Sequence, residues 1–180
     1  FRIKDLIENP FFMEILKSQI LNNKNLNALI NFNVKNVYDF DRFSDLSIKL
    51  KIEEGNYNFS NSNIIWKENV NIDFSDSFLN FDKGKINLNG RTSFNVKNQD
   101  EFYKFFQIKK ELRKNIEKIE LDFNYDFNEE KITFDNFRID NKSNKKIEEI
   151  VSNFNSSNKK FLNKITFKNF VNDILIAYFG

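Results

Sequence analysis

The strongest constraint on the fold of this 180-residue chain is an apolar–polar alternation with a period of two residues, which begins near Leu29. The clearest run places apolar side chains at every second position: Leu46, Ile48, Leu50 and Ile52. Successive side chains of a β-strand point to opposite faces of a sheet, so this alternation predicts strands that are apolar on one side only. We therefore expect the run to face a core, and Lys49 and Lys51 to face away from it.

Shorter runs of the same kind follow, and residues typical of turns lie between them. The predicted breaks are Gly55, Ser60-Asn61, Ser75-Asp76, Asp82-Lys83-Gly84 and Asn89-Gly90. No stretch between these runs is long enough for a helix, so the strands are expected to form an antiparallel meander. With a later hairpin, the total is about nine or ten strands, more than a usual sheet contains. A change of apolar parity across Asp135-Asn136 predicts a β-bulge in that hairpin.

Helical spacing of apolar residues predicts helices before, between and after these strands. Pro10 suits a first helical turn, Asp100 is a candidate N-cap, and Ser143 or Asn144 is another. The predicted fold class is α+β, with a curved, mainly antiparallel, groove-like sheet and flanking amphipathic helices. We expect one structural unit, belonging to a longer protein because the chain opens at Phe1 and not at Met. Its predicted parts are a helical segment (1–27), a strand ladder (28–98), a helix (99–115), a β-hairpin (116–140) and C-terminal amphipathic helices (141–180).

The composition excludes several classes of function. The sequence contains no histidine and no cysteine, which removes Ser-His-Asp and Cys-His catalysis, imidazole metal sites and zinc–thiolate sites. A net charge of +2, from 28 basic and 26 acidic residues, argues against a nucleic-acid-binding protein. The closest acidic groupings are simplest to explain as solvated turns and helix faces: Glu53-Glu54, Asp73 with Asp76, Glu129-Glu130 and Glu148-Glu149. We expect no catalytic residue, no metal and no cofactor.

The apolar face of the predicted sheet has two interpretations. The simpler one is a core packed against the helices, because buried aromatic faces usually form cores. The other is an open groove for the acyl chains of a phospholipid or another lipid, since the predicted helices are few for so many strands. The candidate groove residues are Leu46, Ile48, Leu50, Ile52, Phe59, Ile72, Phe74, Ile86, Leu88 and Phe94.

Lysine is abundant in the last forty residues, and acidic residues are few there. Solvated helix faces are the simpler interpretation. The alternative is a helix that lies on a membrane surface and contacts anionic headgroups. The candidate headgroup residues are Lys159, Lys160, Lys164 and Lys168.

Three segments resemble the C-terminal region of AsmA-like (AsmA/TamB-type) proteins of the bacterial envelope. They are residues 50–62 (LKIEEGNYNFSNS), 81–90 (FDKGKINLNG) and 123–140 (FNYDFNEEKITFDNFRID). The likeness is to a ladder of alternating strands with glycine turns, followed by a hairpin and amphipathic helices. It implies a periplasmic location at the inner membrane, an anchor outside this chain, and upstream repeats of the same polypeptide as neighbours. It also implies a role in outer-membrane biogenesis and phospholipid transport between membranes.

These observations lead to two expectations of function. The first is non-catalytic lipid handling through an apolar β-groove. The alternative is a structural or adhesive β-rich surface module with a closed core. Closure of the apolar face distinguishes the two.

Overall fold

The computed structural model describes residues 10–18, 23–37, 43–82, 85–157 and 164–180. Within them the chain forms an α+β fold around one curved, eight-stranded antiparallel sheet. The strands are β1 (Ala28–Val37), β2 (Phe43–Glu53), β3 (Asn56–Asn58), β4 (Ser62–Trp66), β5 (Val70–Asp82), β6 (Lys85–Val96), β7 (Lys118–Asp126) and β8 (Lys131–Ile139). The helices are α1 (Pro10–Lys17), α2 (Gln99–Phe106), α3 (Lys145–Ser156) and α4 (Lys164–Phe179), with a short 3-10 helix at Lys110–Leu112.

The sheet is a meander in which β3 and β4 occupy the same position between β2 and β5. A two-residue turn joins β2 to β3, and its central residues Glu54 and Gly55 both have positive φ, 51° and 79°. This is the turn geometry that matches the twist of an antiparallel hairpin. Ser60-Asn61, predicted as a turn, lies between β3 and β4. The chain does not reverse there, because β3 and β4 both pair antiparallel with β2 and β5. Lys83 and Gly84, from another predicted turn, lie outside the described residues.

The alternation predicted for β2 is confirmed. Leu46 and Ile52 are buried, whereas Lys49 and Lys51 are exposed on the other face. Because all the strands belong to one sheet, this pattern sets which side of the whole molecule is apolar.

The bulge predicted in the second hairpin is also confirmed. Asp122 pairs with Asp135 and Glu120 pairs with Arg138, so β8 contains one residue more than β7 between these pairs. Asn136 has a φ of 50°, which asparagine tolerates better than most residues.

One predicted helix cap is wrong and another is confirmed. The N-cap of α2 is Asn98, whose side chain accepts a hydrogen bond from the Glu101 N–H, and Asp100 lies inside the first turn. Aspartate is favoured in the first turn of a helix through the helix dipole as well as at the N-cap, so the residue type of Asp100 did not distinguish the two positions. Asn144 caps α3 by accepting a hydrogen bond of 2.9 Å from the Ile147 N–H.

Two of the predicted turns are wrong, because β5 continues through Ser75-Asp76 and β6 continues through Asn89-Gly90. The pairing of β5 with β6 shifts register between Ser75 and Phe78, and Asp76 has a φ of 48°. The turn-like residues therefore form a bulge inside a long strand, not the end of a short one.

The bulge in β5 explains the glycine in β6. Ser77 is buried, its N–H donates to Ser60 Oγ at 3.1 Å, and its own Oγ donates to the Ser75 carbonyl at 2.9 Å. A Cβ added at Gly90 would lie 2.2 Å from Ser77 Oγ and 2.8 Å from Ser77 Cα. Gly90 is thus required by a close approach between strands.

On the outer edge of β8, a side chain forms hydrogen bonds with the backbone N–H and carbonyl of Phe134. The Phe134 N–H donates to Asn155 Oδ1 at 2.9 Å, and Asn155 Nδ2 donates to the Phe134 carbonyl at 2.7 Å. The side-chain amide of α3 thus makes the two hydrogen bonds that a neighbouring strand would make at this residue. Covering an edge in this way limits strand-to-strand association.

We predict that Gly90→Ala destabilises the fold by about 1–3 kcal/mol, because the new methyl group overpacks against Ser77. Chemical denaturation measures the loss. Gly180→Ala is the matched control, since its Cβ meets only a carbonyl at 3.3 Å and should change little. Equal stability of the two variants would contradict the close approach of β6 to β5.

Candidate functional site

The candidate site is the apolar face of the sheet, on which side chains from neighbouring strands line up in rows. One row crosses nearly the whole sheet: Ala28, Ile52, Tyr57, Leu79, Leu88, Tyr125 and Ile132. A second row is Ile64, Ile72, Phe94, Ile119 and Ile139. Directly paired residues of an antiparallel sheet lie on the same face, so both rows belong to one continuous apolar surface.

The helices of the second half of the chain cover much of this face. At β4, the Trp66 ring packs against Phe102, Phe105 and Phe106 of α2, with ring centres 6.2, 4.8 and 6.2 Å away. At β8, the Phe134 ring stacks on Phe170 of α4 at 5.4 Å. The helices therefore reach from β4 to β8 and close one large hydrophobic core.

A second, smaller buried cluster lies apart from that core on the same face. It consists of Ile52, Tyr57, Leu79 and Ile86. Leu50, Phe59, Phe81 and Phe127 are partly buried against it. The apolar face is thus divided into a large helix-covered part and a smaller part that belongs mainly to β2, β3, β5 and β6.

The ten predicted groove residues all contribute to these two clusters. Leu46, Ile48, Ile72, Phe74 and Phe94 belong to or pack against the large core. Leu50, Ile52, Phe59 and Ile86 belong to or pack against the small cluster, and Leu88 packs against both. The structure brings the residues onto one face, and their role in lipid binding stays a prediction.

Part of the apolar face is open at the β1 side of the sheet. Ile30 is 50% exposed and Phe32 is 40% exposed, and they pair directly with Leu50 and Ile48. We call these four residues the open strip. Both lie in the predicted strand ladder (28–98), but neither is among the predicted groove residues. Their exposure follows from the position of β1, which within the described residues pairs with β2 alone.

The opposite face of the sheet is mainly polar. Its central feature is Asp122, which accepts hydrogen bonds from Arg91 Nε at 2.8 Å and from Asn136 Nδ2 at 2.6 Å. Burial alone would raise the pKa of Asp122, but these hydrogen bonds and the charges of Arg91 and Arg138 lower it below its ordinary value of 3.8. Leu29, 68% exposed, also lies on this face, since it is the neighbour of Ile30 along β1.

Two buried tyrosines have raised pKa values. Burial raises the pKa of Tyr103 to about 12, the charge of Asp140 adds to the rise, and the hydroxyl donates to the Lys114 carbonyl. Burial also raises the pKa of Tyr57, whose hydroxyl has no hydrogen-bond partner within the described part of the chain. Both hydroxyls are protonated at neutral pH, as an ordinary tyrosine is, and of the two only that of Tyr103 donates a hydrogen bond within the described residues.

Of the four predicted headgroup lysines, the structure describes the side chain of Lys168 alone. Lys159 and Lys160 lie outside the described residues, and Lys164 begins α4 but its side chain is not described. Lys168 Nζ lies 5.4 Å from the centre of the Phe105 ring.

A cleft of about 440 Å³ lies between β8 and α3. Its lining includes Asp135, Arg138, Glu148 and Asn155. These polar and charged side chains do not suit an acyl chain. In the described ranges, this cleft included, no cluster of three or more acidic side chains is arranged to hold a metal ion. None of the helices in those ranges has the length and apolar character needed to cross a membrane.

Comparisons of the chain with protein-family models, curated proteins and solved structures find no match. The resemblance to AsmA-like proteins therefore rests on the sequence of residues 50–62, 81–90 and 123–140 alone.

We predict that Asp122→Asn lowers the free energy of unfolding by about 1 kcal/mol at pH 7, because charge-assisted hydrogen bonds are weakened. The folded-state pKa of Asp122 is lowered, so its contribution is present above the ordinary value of 3.8 and is lost as the pH falls through the folded-state pKa. Urea unfolding at pH 7 measures the loss of stability, and urea unfolding near pH 2 measures whether that loss disappears in acid. Glu149→Gln, on an exposed position of α3, is the control. If the stability difference between wild type and Asp122→Asn were the same near pH 2 as at pH 7, the hydrogen-bond network of Asp122 would be contradicted.

Proposed function

We propose that the chain is a non-catalytic section of a bacterial envelope protein that binds the acyl chains of phospholipids on the apolar face of its sheet. The observation that carries the proposal is the open strip. Exposed large apolar residues on a strand usually mark a binding surface when they continue a larger apolar face. The resemblance of residues 50–62, 81–90 and 123–140 to AsmA-like proteins favours this function.

Binding in such a site requires only burial. Each methylene group removed from water contributes about 0.8 kcal/mol, so a few groups of one acyl chain suffice for measurable affinity. The strip offers branched and aromatic side chains and no charged group of its own. A specific polar motif is not needed, and catalysis has no part in the proposal.

The size of the open strip supports a neighbour along β1. From Ile30 to Phe32 the strand advances about 7 Å, and the adjacent strand adds about 5 Å of width, which covers only part of an acyl chain. A further strand paired with β1 would lengthen the apolar surface into a groove. We therefore include upstream repeats of the same polypeptide among the proposed partners, as in the proteins that the sequence resembles.

The proposed location is the periplasmic side of the bacterial inner membrane, with the anchor in another part of the polypeptide. Outer-membrane biogenesis and transport of phospholipid between membranes are the processes that the resemblance suggests. The proposed location and the proposed processes rest on the resemblance of the three sequence segments and not on the fold.

A structural or adhesive β-rich module is the second candidate function. It is favoured by the large closed core, in which Ile174 and Leu175 of α4 are completely buried beside Phe170. A chain of this kind would carry no lipid, and its open strip would serve only as a contact between strands.

We predict that Ile30→Asp reduces the phospholipid that co-purifies with the chain by at least about tenfold, because a carboxylate in the strip must lose its hydration when an acyl chain binds. Organic extraction followed by mass spectrometry measures the lipid per protein. Leu29→Asp is the matched control, since the same change on the same strand lies on the opposite, polar face.

Both variants should stay folded, because both side chains are at least half exposed. Thermal unfolding monitors this. A wild-type chain that carries no lipid and takes up no fluorescent acyl probe would reject lipid binding and leave the structural module. Equal lipid loss in the two variants would reject the strip as the site.

A further inference from the structure

Two lysines from distant parts of the chain converge on one pair of aromatic rings. Lys67 Nζ lies 5.8 Å from the Trp66 ring centre and 5.9 Å from the Phe105 ring centre. Lys168 Nζ lies 5.4 Å from the same Phe105 ring. The two rings are in edge contact, with centres 4.8 Å apart. The ammonium groups are therefore held above a shared aromatic surface.

Three elements build this arrangement. Lys67 lies in the turn between β4 and β5, where its own φ of 49° and the φ of 60° at Glu68 fold the chain tightly. Phe105 comes from α2 and Lys168 from α4. Both helices are held in place by the large core, and the Trp66 ring beside Lys67 is buried in it, so the fold fixes the rings on which the two lysines lie.

The charges of the two lysines are not neutralised by the described residues. Neither ammonium group forms an ion pair within this part of the chain, and each lysine is only partly exposed. The carboxylate of Glu101, four residues before Phe105 on α2, is bound to Lys104 at 2.9 Å. Glu68 follows Lys67 directly and is exposed.

Partial burial of an ammonium group is costly unless an opposite charge or a ring face offsets it. A ring face offsets part of this cost, and two cations that share one ring also repel each other. An anion that both flexible side chains reach beside the Phe105 ring would remove the repulsion and accept hydrogen bonds from both. A phosphate group suits this place, because it carries negative charge and several acceptor oxygens.

We propose that Lys67 and Lys168 bind a phosphate group. The inference rests on the proposed function if the phosphate belongs to a phospholipid headgroup, and it deepens that function by naming the ligand chemistry and by adding Lys67. A soluble phosphate compound offers the same chemistry. Separate arms of the experiment distinguish these two sources.

Trp66 provides the readout, because it is the only tryptophan of the chain and Lys67 lies over its ring. The wild-type chain is titrated with inorganic phosphate at constant ionic strength while the tryptophan emission is recorded. We expect saturable binding, and we expect Lys67→Gln/Lys168→Gln to weaken it by at least roughly tenfold. Lys67→Arg/Lys168→Arg, which keeps both charges, should retain binding.

Lys145→Gln/Lys146→Gln is the control with the same loss of charge, placed at the exposed start of α3. It should bind phosphate like the wild type. Equal weakening in this control would show a general charge effect and overturn the site. The site is also overturned if phosphate binding to the wild type does not saturate and vesicle binding is the same in the wild type and in Lys67→Gln/Lys168→Gln.

The second arm measures sedimentation with vesicles of phosphatidylcholine, with and without phosphatidylglycerol. Binding to the phosphatidylglycerol vesicles that is lost in Lys67→Gln/Lys168→Gln assigns the site to a lipid headgroup. Saturable binding of inorganic phosphate without vesicle binding assigns it to a soluble phosphate. Inorganic phosphate has no acyl chain, and Ile30→Asp should not change its binding. Failure of the lipid-groove proposal and failure of the phosphate site are therefore separate outcomes.

Discussion

The apolar face of the sheet has to be shielded from water, and the arrangement of the rest of the chain follows from that requirement. Alternating strands place Ile64, Ile72 and Ile119 on the same side of one sheet, and no second sheet is present in the described residues. The shield is instead supplied by α2, α3 and α4, whose aromatic residues contact the sheet from Trp66 to Phe134. Burial of each large side chain contributes about 1.5–3 kcal/mol, which makes this contact the main stabilising interaction of the fold.

The two sides of the sheet differ as a consequence. At β8 the helices cover the apolar face of the last strand, and Asn155 satisfies the outward-facing backbone groups of Phe134. At β1 the large side chains of Ile30 and Phe32 remain exposed. The exposed part of the apolar face therefore lies at β1 and β2, and the covered part lies under the helices.

The sequence predicted features that depend on local patterns and missed features that depend on distant partners. The alternation of β2 and the bulge at Asn136 are local, and both predictions are confirmed. Gly90 resembled a turn because its true role depends on Ser77, which the chain brings close only through strand pairing. Lys67 was not singled out for the same reason, since its neighbours Phe105 and Lys168 belong to helices far along the sequence. The exposure of Ile30 depends on the order of strands in the sheet, which alternation alone does not determine.

Lipid binding on this face of the sheet is measured by the accessibility of the open strip with and without lipid. The chain has no cysteine, so Ile30→Cys and Leu29→Cys each carry a single thiol for labelling with a maleimide. Both thiols should react in lipid-free protein, and a short-chain phospholipid below its micelle concentration should protect only Ile30→Cys. Unchanged labelling of Ile30→Cys at saturating lipid, or equal protection of both positions, would contradict an acyl-binding surface on this face of the sheet.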